Sequence, residues 1–178
     1  MKKLLIIILF LFTAISPVMA ENLLFNNEIY DLQFSTKTQT GYINEYIRNF
    51  QHQDDWTKKI TVHHFIDGNT VESYLAGFNQ RLQYLPNYLK ITYDNNKNIL
   101  SYDAMYVGES FIEYNIFKVK KHPIKGLLAL QYSQRYYFEN ELTMSGLIAF
   151  SQKEDMKYFN LIQKTEIPAI VEKEVDKF

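Results

Sequence analysis

Four segments between Tyr88 and Phe138 have the length and composition of β-strands, and strong turn signals separate them. They span Tyr88–Tyr93, Ile99–Val107, Ser110–Lys121 and Leu127–Phe138. The separators are rich in Asn, Gly and Pro, which favour tight reversals of the chain: Asp94–Asn98, Gly108-Glu109 and Pro123–Gly126. Connections this short join antiparallel strands, because a parallel pair needs a crossover of a dozen or more residues. This half of the chain therefore predicts an antiparallel meander.

Alternating apolar residues predict three more strands earlier in the chain. Tyr30, Leu32 and Phe34 alternate within Glu28–Ser35, and Tyr42–Ile47 follows Gly41 as a hairpin partner. The clearest alternation runs from Trp56 to Ile66. One side of that strand is expected to present Trp56, Ile60, Val62, His64 and Ile66, and the other Thr57, Lys59, Thr61 and His63.

The last strand of the meander also alternates, which predicts one buried face and one wet face. The buried face is expected to carry Leu128, Leu130, Tyr132, Tyr136 and Phe138. The wet face is expected to carry Ala129, Gln131, Ser133, Arg135 and Tyr137. This placement assigns most of the 14 Tyr and 13 Phe residues to the core.

A helix is predicted between the two groups of strands. Asn69 and Glu72 have the spacing of a capping box, and the helix should run to about Tyr84 before Pro86 ends it. Apolar residues recur at steps of three and four, which requires a covering sheet or helix. They are Val71, Tyr74, Leu75, Phe78, Leu82 and Leu85.

The C-terminal region has one clear helix signal. Ser151 and Glu154 form a second capping box, which predicts a helix over Gln152–Lys164, whereas Leu142–Phe150 fits either a helix or a buried strand. The fold class is therefore α+β. We expect an antiparallel sheet of about six to seven strands, packed against the central amphipathic helix and the C-terminal helix.

The first 20 residues have the composition of a cleavable signal peptide. Lys2 and Lys3 precede an apolar run, and Val18-Met19-Ala20 has the small-x-Ala pattern of a cleavage site. The run is too short for a spanning helix, and no cysteine follows it for lipid attachment. We expect residues 1–20 to be removed and residues 21–178 to form one domain in the periplasm or outside the cell.

Charge and cysteine content exclude several functions. Removing Lys2 and Lys3 from 19 basic residues leaves 17 against 20 acidic residues, a net charge of −3. A chain with this balance lacks the basic field that holds nucleic acid phosphates. The absence of cysteine excludes thiol catalysis and zinc sites built from thiolates.

Two patterns resemble known groups of proteins. The combination of Asn44-Glu45-Tyr46, Asp55–Lys58 and Thr61–Phe65 is similar to a pattern in uncharacterised small secreted bacterial proteins. The order of predicted elements resembles the Mog1/PsbP-like α+β sandwich. This second resemblance implies an accessory or binding role, because most members of that fold act in this way.

No arrangement of residues predicts a catalytic, cofactor or metal site. His63 and His64 point to opposite faces of a strand and cannot hold one metal ion together. Ser145-Gly146 lacks the G-x-S-x-G pattern of a nucleophile elbow, and no glycine-rich phosphate loop is present. His64 is the one candidate for a polar site, and its other interpretation is a hydrogen-bonded core histidine.

A basic cluster at a hairpin end is the main candidate for partner contact. It consists of Lys118, Lys120, Lys121, His122 and Lys125. Such a cluster suits an acidic protein or an anionic envelope component, although lysines also protect sheet edges from unwanted pairing. Trp56 is a second candidate, because tryptophan serves both as an interface anchor and as a core residue.

These observations favour an exported, non-catalytic binding or accessory protein of the bacterial envelope, of the immunity type or associated with a complex. Two other classes stay open. A small hydrolase would place His64 in a cleft beside carboxylates or a serine. A carrier of an apolar ligand would hold an aromatic-lined cavity between sheet and helix.

Overall fold

The described part of the chain forms one antiparallel sheet with a helix on each face. The computed structural model describes residues 22–82, 88–94, 98–138 and 157–176, with the backbone alone for 78–82 and 88–94. Its strands are β1 (Asn22–Phe25), β2 (Glu28–Lys37), β3 (Gly41–Arg48), β4 (Lys58–Phe65), β5 (Tyr88–Asp94), β6 (Ile99–Val107), β7 (Phe111–Lys121), β8 (Leu127–Tyr137) and β9 (Val175–Asp176). Helix α1 spans Val71–Leu82, and α2 covers residues 157–164.

The strand order is β1-β2-β3-β4-β8-β7-β6-β5, and β9 pairs with β2 beside β1. The sequence prediction of a mostly antiparallel sheet with two helices is confirmed, and all seven predicted strands are present. Strands β1 and β9 were not predicted, because four and two residues are too few to show an alternating pattern. Both lie on the same edge of the sheet.

One face of the sheet, here called the α2 face, packs against α2 and the segment that follows it. The ring of Tyr158 on α2 stacks on that of Tyr132 on β8, with 4.7 Å between their centroids. Phe159 and Ile162 join the same buried cluster. From the strands this core takes Tyr30, Leu32, Tyr46, Ile60, Val62, Ile112, Tyr114, Ile116, Leu128 and Leu130.

The opposite face, here called the α1 face, is covered by α1 at one end. Val71 is buried there, and Tyr74 and Leu75 pack against Leu100, Tyr102, Val119, Leu127 and Ala129. The prediction that β8 has a wet face is wrong for Ala129 and Ser133, which are both buried. A sheet with a helix on each side buries residues of both alternating sets, so alternation alone does not identify a wet face.

Helix α1 begins one residue later than the sequence indicated. The backbone N–H of Ser73 donates to the Thr70 hydroxyl (3.1 Å), and the Thr70 N–H donates to the Ser73 hydroxyl (2.9 Å). This reciprocal pair is a capping box with Thr70 as the cap. Asn69 instead donates from its side chain to the carboxylate of Asp67.

A buried amide attaches the C-terminal segment to the α2 face. Asn44 on β3 accepts a hydrogen bond from the Val171 N–H (2.6 Å) and donates one to the Val171 carbonyl (2.8 Å). Ser35 on β2 donates to the same carbonyl (2.9 Å). The Asn44 carboxamide thus bonds both backbone polar groups of Val171, as a residue of a neighbouring strand would, and this fixes the path of the chain after α2.

Several sequence predictions fall outside the described residues: the end of α1 at Pro86, the segment Leu142–Phe150, and the Ser151–Glu154 capping box. The helical stretch 157–164 lies within the predicted helix Gln152–Lys164. Within the described ranges, no helix is both long enough and apolar enough to cross a bilayer.

We expect Asn44→Ala to lower the free energy of unfolding by about 2 to 3 kcal/mol, because it removes one hydrogen bond to the Val171 N–H and another to its carbonyl. Urea unfolding of the chain from Glu21 onward measures the change. The control is Asn160→Ala on the exposed side of α2, where better helix propensity should leave stability unchanged or slightly higher. Equal stability of the two variants would contradict this role for Asn44.

Candidate functional site

The candidate site is a groove between the β7–β8 turn and the start of α1. It has a volume of about 300 Å³ and is lined by residues 68–72, Asn98, Lys121 and residues 124–127. We call it the tip groove, and we call residues 121–126 the tip. One wall is therefore the turn that carries the predicted basic cluster, and the other is the beginning of α1, where Glu72 lies.

The tip is held against the end of β4 by its backbone. The His122 N–H donates to the Gly126 carbonyl at 2.9 Å, which closes the turn. Gly126 has a φ of 78°, and a Cβ at this position would overlap the carbonyl oxygen of Phe65. Only glycine satisfies both conditions, so the close approach of turn and strand depends on this residue.

Two histidines fix the tip further. The ring of His122 lies 4.3 Å from that of His64 on β4, and His64 also stacks with Tyr42 on β3 at 6.3 Å. His122 Nδ1 accepts hydrogen bonds from the N–H groups of Ile124 and Lys125, both at 3.2 Å. His64 Nε2 lies 3.0 Å from the Lys125 carbonyl oxygen and donates to it.

The exposed surface of the tip combines an apolar side chain with two cations. Ile124 is 90% exposed, and Lys121 and Lys125 on either side of it are also exposed. The sequence predicts the lysines of this surface but not Ile124. In the sequence, Ile124 is an isoleucine that directly follows Pro123 in a polar turn. From the sequence alone, such an isoleucine cannot be distinguished from a core residue.

Lys118 does not belong to this surface. It is 6% exposed on the α2 face, and its ammonium donates to the carbonyl oxygens of Gln163 (2.9 Å) and Thr165 (2.6 Å) at the end of α2. Burial, together with the charge of Lys120, lowers the pKa of Lys118. The predicted basic cluster therefore contains both a buried lysine, Lys118, and exposed lysines, Lys121 and Lys125. The reason is that alternate strand residues point to opposite faces and only the turn projects beyond the sheet.

Trp56 is 2% exposed and packs inside the fold instead of at the surface. The Arg135 guanidinium lies 3.9 Å from the centre of its ring, and the Lys59 ammonium lies 4.7 Å from it. Lys59 and Arg135 belong to the α1 face, so the prediction that Trp56 shares a side with Ile60 is wrong. Strand β4 begins only at Lys58, and alternation therefore does not extend back to Trp56.

His63 and His64 lie on opposite faces, as their adjacent positions in β4 require. On the α1 face, His63 Nε2 donates to Gln131 Oε1 at 3.3 Å, and Gln131 in turn donates to Asn115 and Ser133. Burial is the largest influence on His63 and lowers its pKa. Within the described ranges, no group of three His, Cys, Asp or Glu side chains has the geometry of a metal site.

A second exposed apolar patch lies at the other end of the sheet. Leu24 on β1 pairs with Ile29 on β2, and they are 75% and 48% exposed. Phe50 in the nearby β3–β4 loop is 95% exposed and has a φ of 68°. A left-handed backbone is costly for an aromatic residue, so this loop holds Phe50 outward at some expense of stability.

A protein-family model matches residues 18–167. The chain belongs to that uncharacterised family. No curated protein matches the chain. No solved structure matches it either. Any statement about function therefore depends on the residues and geometry of this chain itself.

We expect Lys118→Met to lower the free energy of unfolding by about 2 kcal/mol, because the carbonyls at the end of α2 lose their donor while the apolar stem is kept. Lys121→Met is the matched control at an exposed position and should change stability by less than about 0.5 kcal/mol. Chemical unfolding compares the two variants. A similar effect of both would mean that the Lys118 ammonium makes no contribution to stability.

The lowered pKa of His63 predicts that stability falls in acid. The unfolded chain binds a proton near the ordinary value of 6.5, whereas folded His63 binds it only at lower pH. The free energy of unfolding should therefore fall as pH drops below about 6.5, until the folded pKa is reached. His63→Gln, which keeps a donor near Nε2, should reduce this slope, and His52→Gln at an exposed position should not. Equal slopes would contradict the prediction.

Proposed function

We propose that this protein is an exported, non-catalytic binding protein of the bacterial envelope that holds an acidic partner protein at the tip groove. A subunit associated with a larger complex and an immunity-type protein that blocks a toxin both fit this description. The observation that carries the proposal is the position of Ile124, exposed between Lys121 and Lys125 beside a concave surface.

The composition of the tip favours a protein partner. Removing Ile124 from water is favourable, and the gain grows with the apolar area that a partner covers. The two flanking cations add attraction and orientation toward carboxylates more than they add raw affinity. A groove beside an exposed apolar residue thus provides both a place for an anchor and a means of selecting an acidic surface.

The proposed export rests on the leader. Residues 1–20 have the pattern of a cleavable signal peptide, and β1 begins at Asn22, two residues after the proposed cleavage site. Cleavage there leaves β1 as the first element of the mature chain. We place the mature protein in the periplasm, with release from the cell as the alternative.

The proposed relationship to Mog1/PsbP-like proteins is supported by the layers of the fold. An antiparallel sheet with a helix on each face agrees with the sandwich that the order of elements suggested. Such a relationship favours an accessory role. It adds no partner, because the fold by itself does not specify one.

The two alternative functions receive less support from the described residues. Within the described part of the chain, His64 contacts the Tyr42 and His122 rings and the Lys125 carbonyl, and these groups supply no carboxylate or serine for hydrolysis. Cavities of about 300, 280 and 260 Å³ are lined partly by charged or polar side chains. Phe34 and Phe50 each line one of these three cavities, and none of the three has the predominantly aromatic lining expected of a carrier for an apolar ligand.

Charge reversal tests the proposal. We expect the immobilised chain from Glu21 onward to capture an acidic protein from an envelope extract, and Lys121→Glu with Lys125→Glu to reduce capture at least about tenfold. Ile124→Ser should weaken capture without changing the charge. The control pair Lys157→Glu and Lys173→Glu makes the same charge change at exposed positions on and after α2. It should leave capture unchanged.

Vesicles of phosphatidylglycerol and phosphatidylethanolamine form the second arm of this experiment. Binding to vesicles that disappears in the Lys121→Glu, Lys125→Glu variant would replace the acidic protein with an anionic membrane surface. Capture that is unchanged in this variant would overturn the tip groove as the binding site. Equal loss in both charge-reversed pairs would show a dependence on net charge alone.

A further inference from the structure

His64 and His122 lie directly behind the proposed contact surface, and a ring nitrogen of each forms hydrogen bonds with the backbone of the tip. A backbone N–H can only donate, so His122 Nδ1 must carry a free lone pair to accept from Ile124 and Lys125. The Lys125 carbonyl can only accept, so His64 Nε2 carries a proton. His64 Nδ1 is buried and has no hydrogen-bond partner among the described residues.

The surroundings of the pair disfavour a positive charge on His122. Tyr42 faces His64 from β3, and Lys37 lies 6.0 Å from the centre of the Tyr42 ring. Lys120 on β7 and Lys121 and Lys125 in the tip are the cations nearest to His122 along the chain, and Glu72 lies across the tip groove. Burial has the largest effect on the pKa of His122, and burial, His64 and Lys120 all lower it.

We infer that these histidines make the tip groove sensitive to pH, such that protonation of His122 at Nδ1 releases residues 123–125 from the conformation that their hydrogen bonds to His122 maintain. The proton occupies the lone pair that accepts from Ile124 and Lys125, so two donors lose their acceptor at once. The new imidazolium also lies against His64 and near lysines, with 4.3 Å between the two ring centres. The expected consequence is weaker binding of an acidic partner at low pH, and only this consequence rests on the proposed function.

The release occurs at the part of the tip that carries the contact residues. Ile124 and Lys125 are the residues whose N–H groups bond to His122, and the Lys125 carbonyl is the acceptor for His64. A partner that binds the released tip must order it again, which costs conformational entropy. The groove would therefore be formed at neutral pH and lost below the pKa of His122, which lies under the ordinary value of 6.5.

His122→Asn separates titration from hydrogen bonding. Asparagine Oδ1, like histidine Nδ1, is bonded to Cγ, so it can accept from the same two N–H groups but does not titrate. The amide signals of Ile124 and Lys125, followed by NMR from about pH 7.5 to about pH 5, report the state of the tip directly. We expect both to shift in the wild type, and their hydrogen-exchange protection factors to fall about tenfold.

The same signals should stay constant in His122→Asn, and His52→Asn at an exposed position should behave like the wild type. A wild-type tip that does not respond would overturn the inference. A His122→Asn tip that responds as the wild type does would overturn it as well, since the titrating group would then lie elsewhere.

Poly-L-aspartate serves as an acidic probe of the consequence for binding. At about pH 5.5 the wild type should bind it about threefold more weakly than His122→Asn, because the released tip must be ordered. Simple charge attraction predicts the opposite order, since only the wild type gains a positive charge. Tighter binding by the wild type would therefore overturn the proposed effect on binding.

The two proposals fail in different ways. If Lys121→Glu with Lys125→Glu leaves binding of poly-L-aspartate at about pH 7.5 unchanged, the tip groove is not the binding site. The amide signals of Ile124 and Lys125 still decide whether the tip responds to pH. If probe binding depends on these lysines but the amide signals of Ile124 and Lys125 stay constant with pH, the proposed function is supported and the histidine mechanism is rejected.

Discussion

The antiparallel pairing of β4 with β8 is the contact on which the rest of the described structure depends. It runs over eight residue pairs, from Lys58 with Gln134 to Phe65 with Leu127, and it joins strands β1 to β4, together with β9, to strands β5 to β8. Without it the chain would form two separate meanders, each with an uncovered edge. The joined sheet has one largely apolar face, which α2 covers, and an apolar patch at one end of the opposite face, which α1 covers.

The same pairing builds the candidate site. It places the end of β4 beside the β7–β8 turn, so that His64 meets His122 and the Phe65 carbonyl meets Gly126. The β4 residues that contact the tip, His64 and Phe65, are therefore 56 or more positions away from it in the chain. A change in the β4–β8 register by one residue would remove His64 from the tip and turn its side chain to the other face.

Ser35, Asn44 and Lys118 are buried polar residues whose side chains bond to backbone groups of irregular segments. Asn44 bonds both the N–H and the carbonyl of Val171, and Lys118 satisfies carbonyls at the end of α2, where the helix has no further N–H donors. Each ties an irregular segment to the sheet. The structure thereby gives each residue of the Asn44-Glu45-Tyr46 pattern a role. Asn44 bonds the C-terminal segment, Glu45 pairs with Lys59, and Tyr46 lies in the core.

The sequence by itself determined the strands β2 to β8, the existence of α1, and the antiparallel class, because alternation, helical periodicity and short turns are local properties. It also identified the lysines and histidines of the candidate site. Only the tertiary structure decided which of them act together. Whether a lysine is buried, as Lys118 is, or exposed, as Lys121 and Lys125 are, depends on what packs against each face. The meeting of His64 with His122 and the exposure of Ile124 follow from pairing between distant strands, which no local pattern encodes.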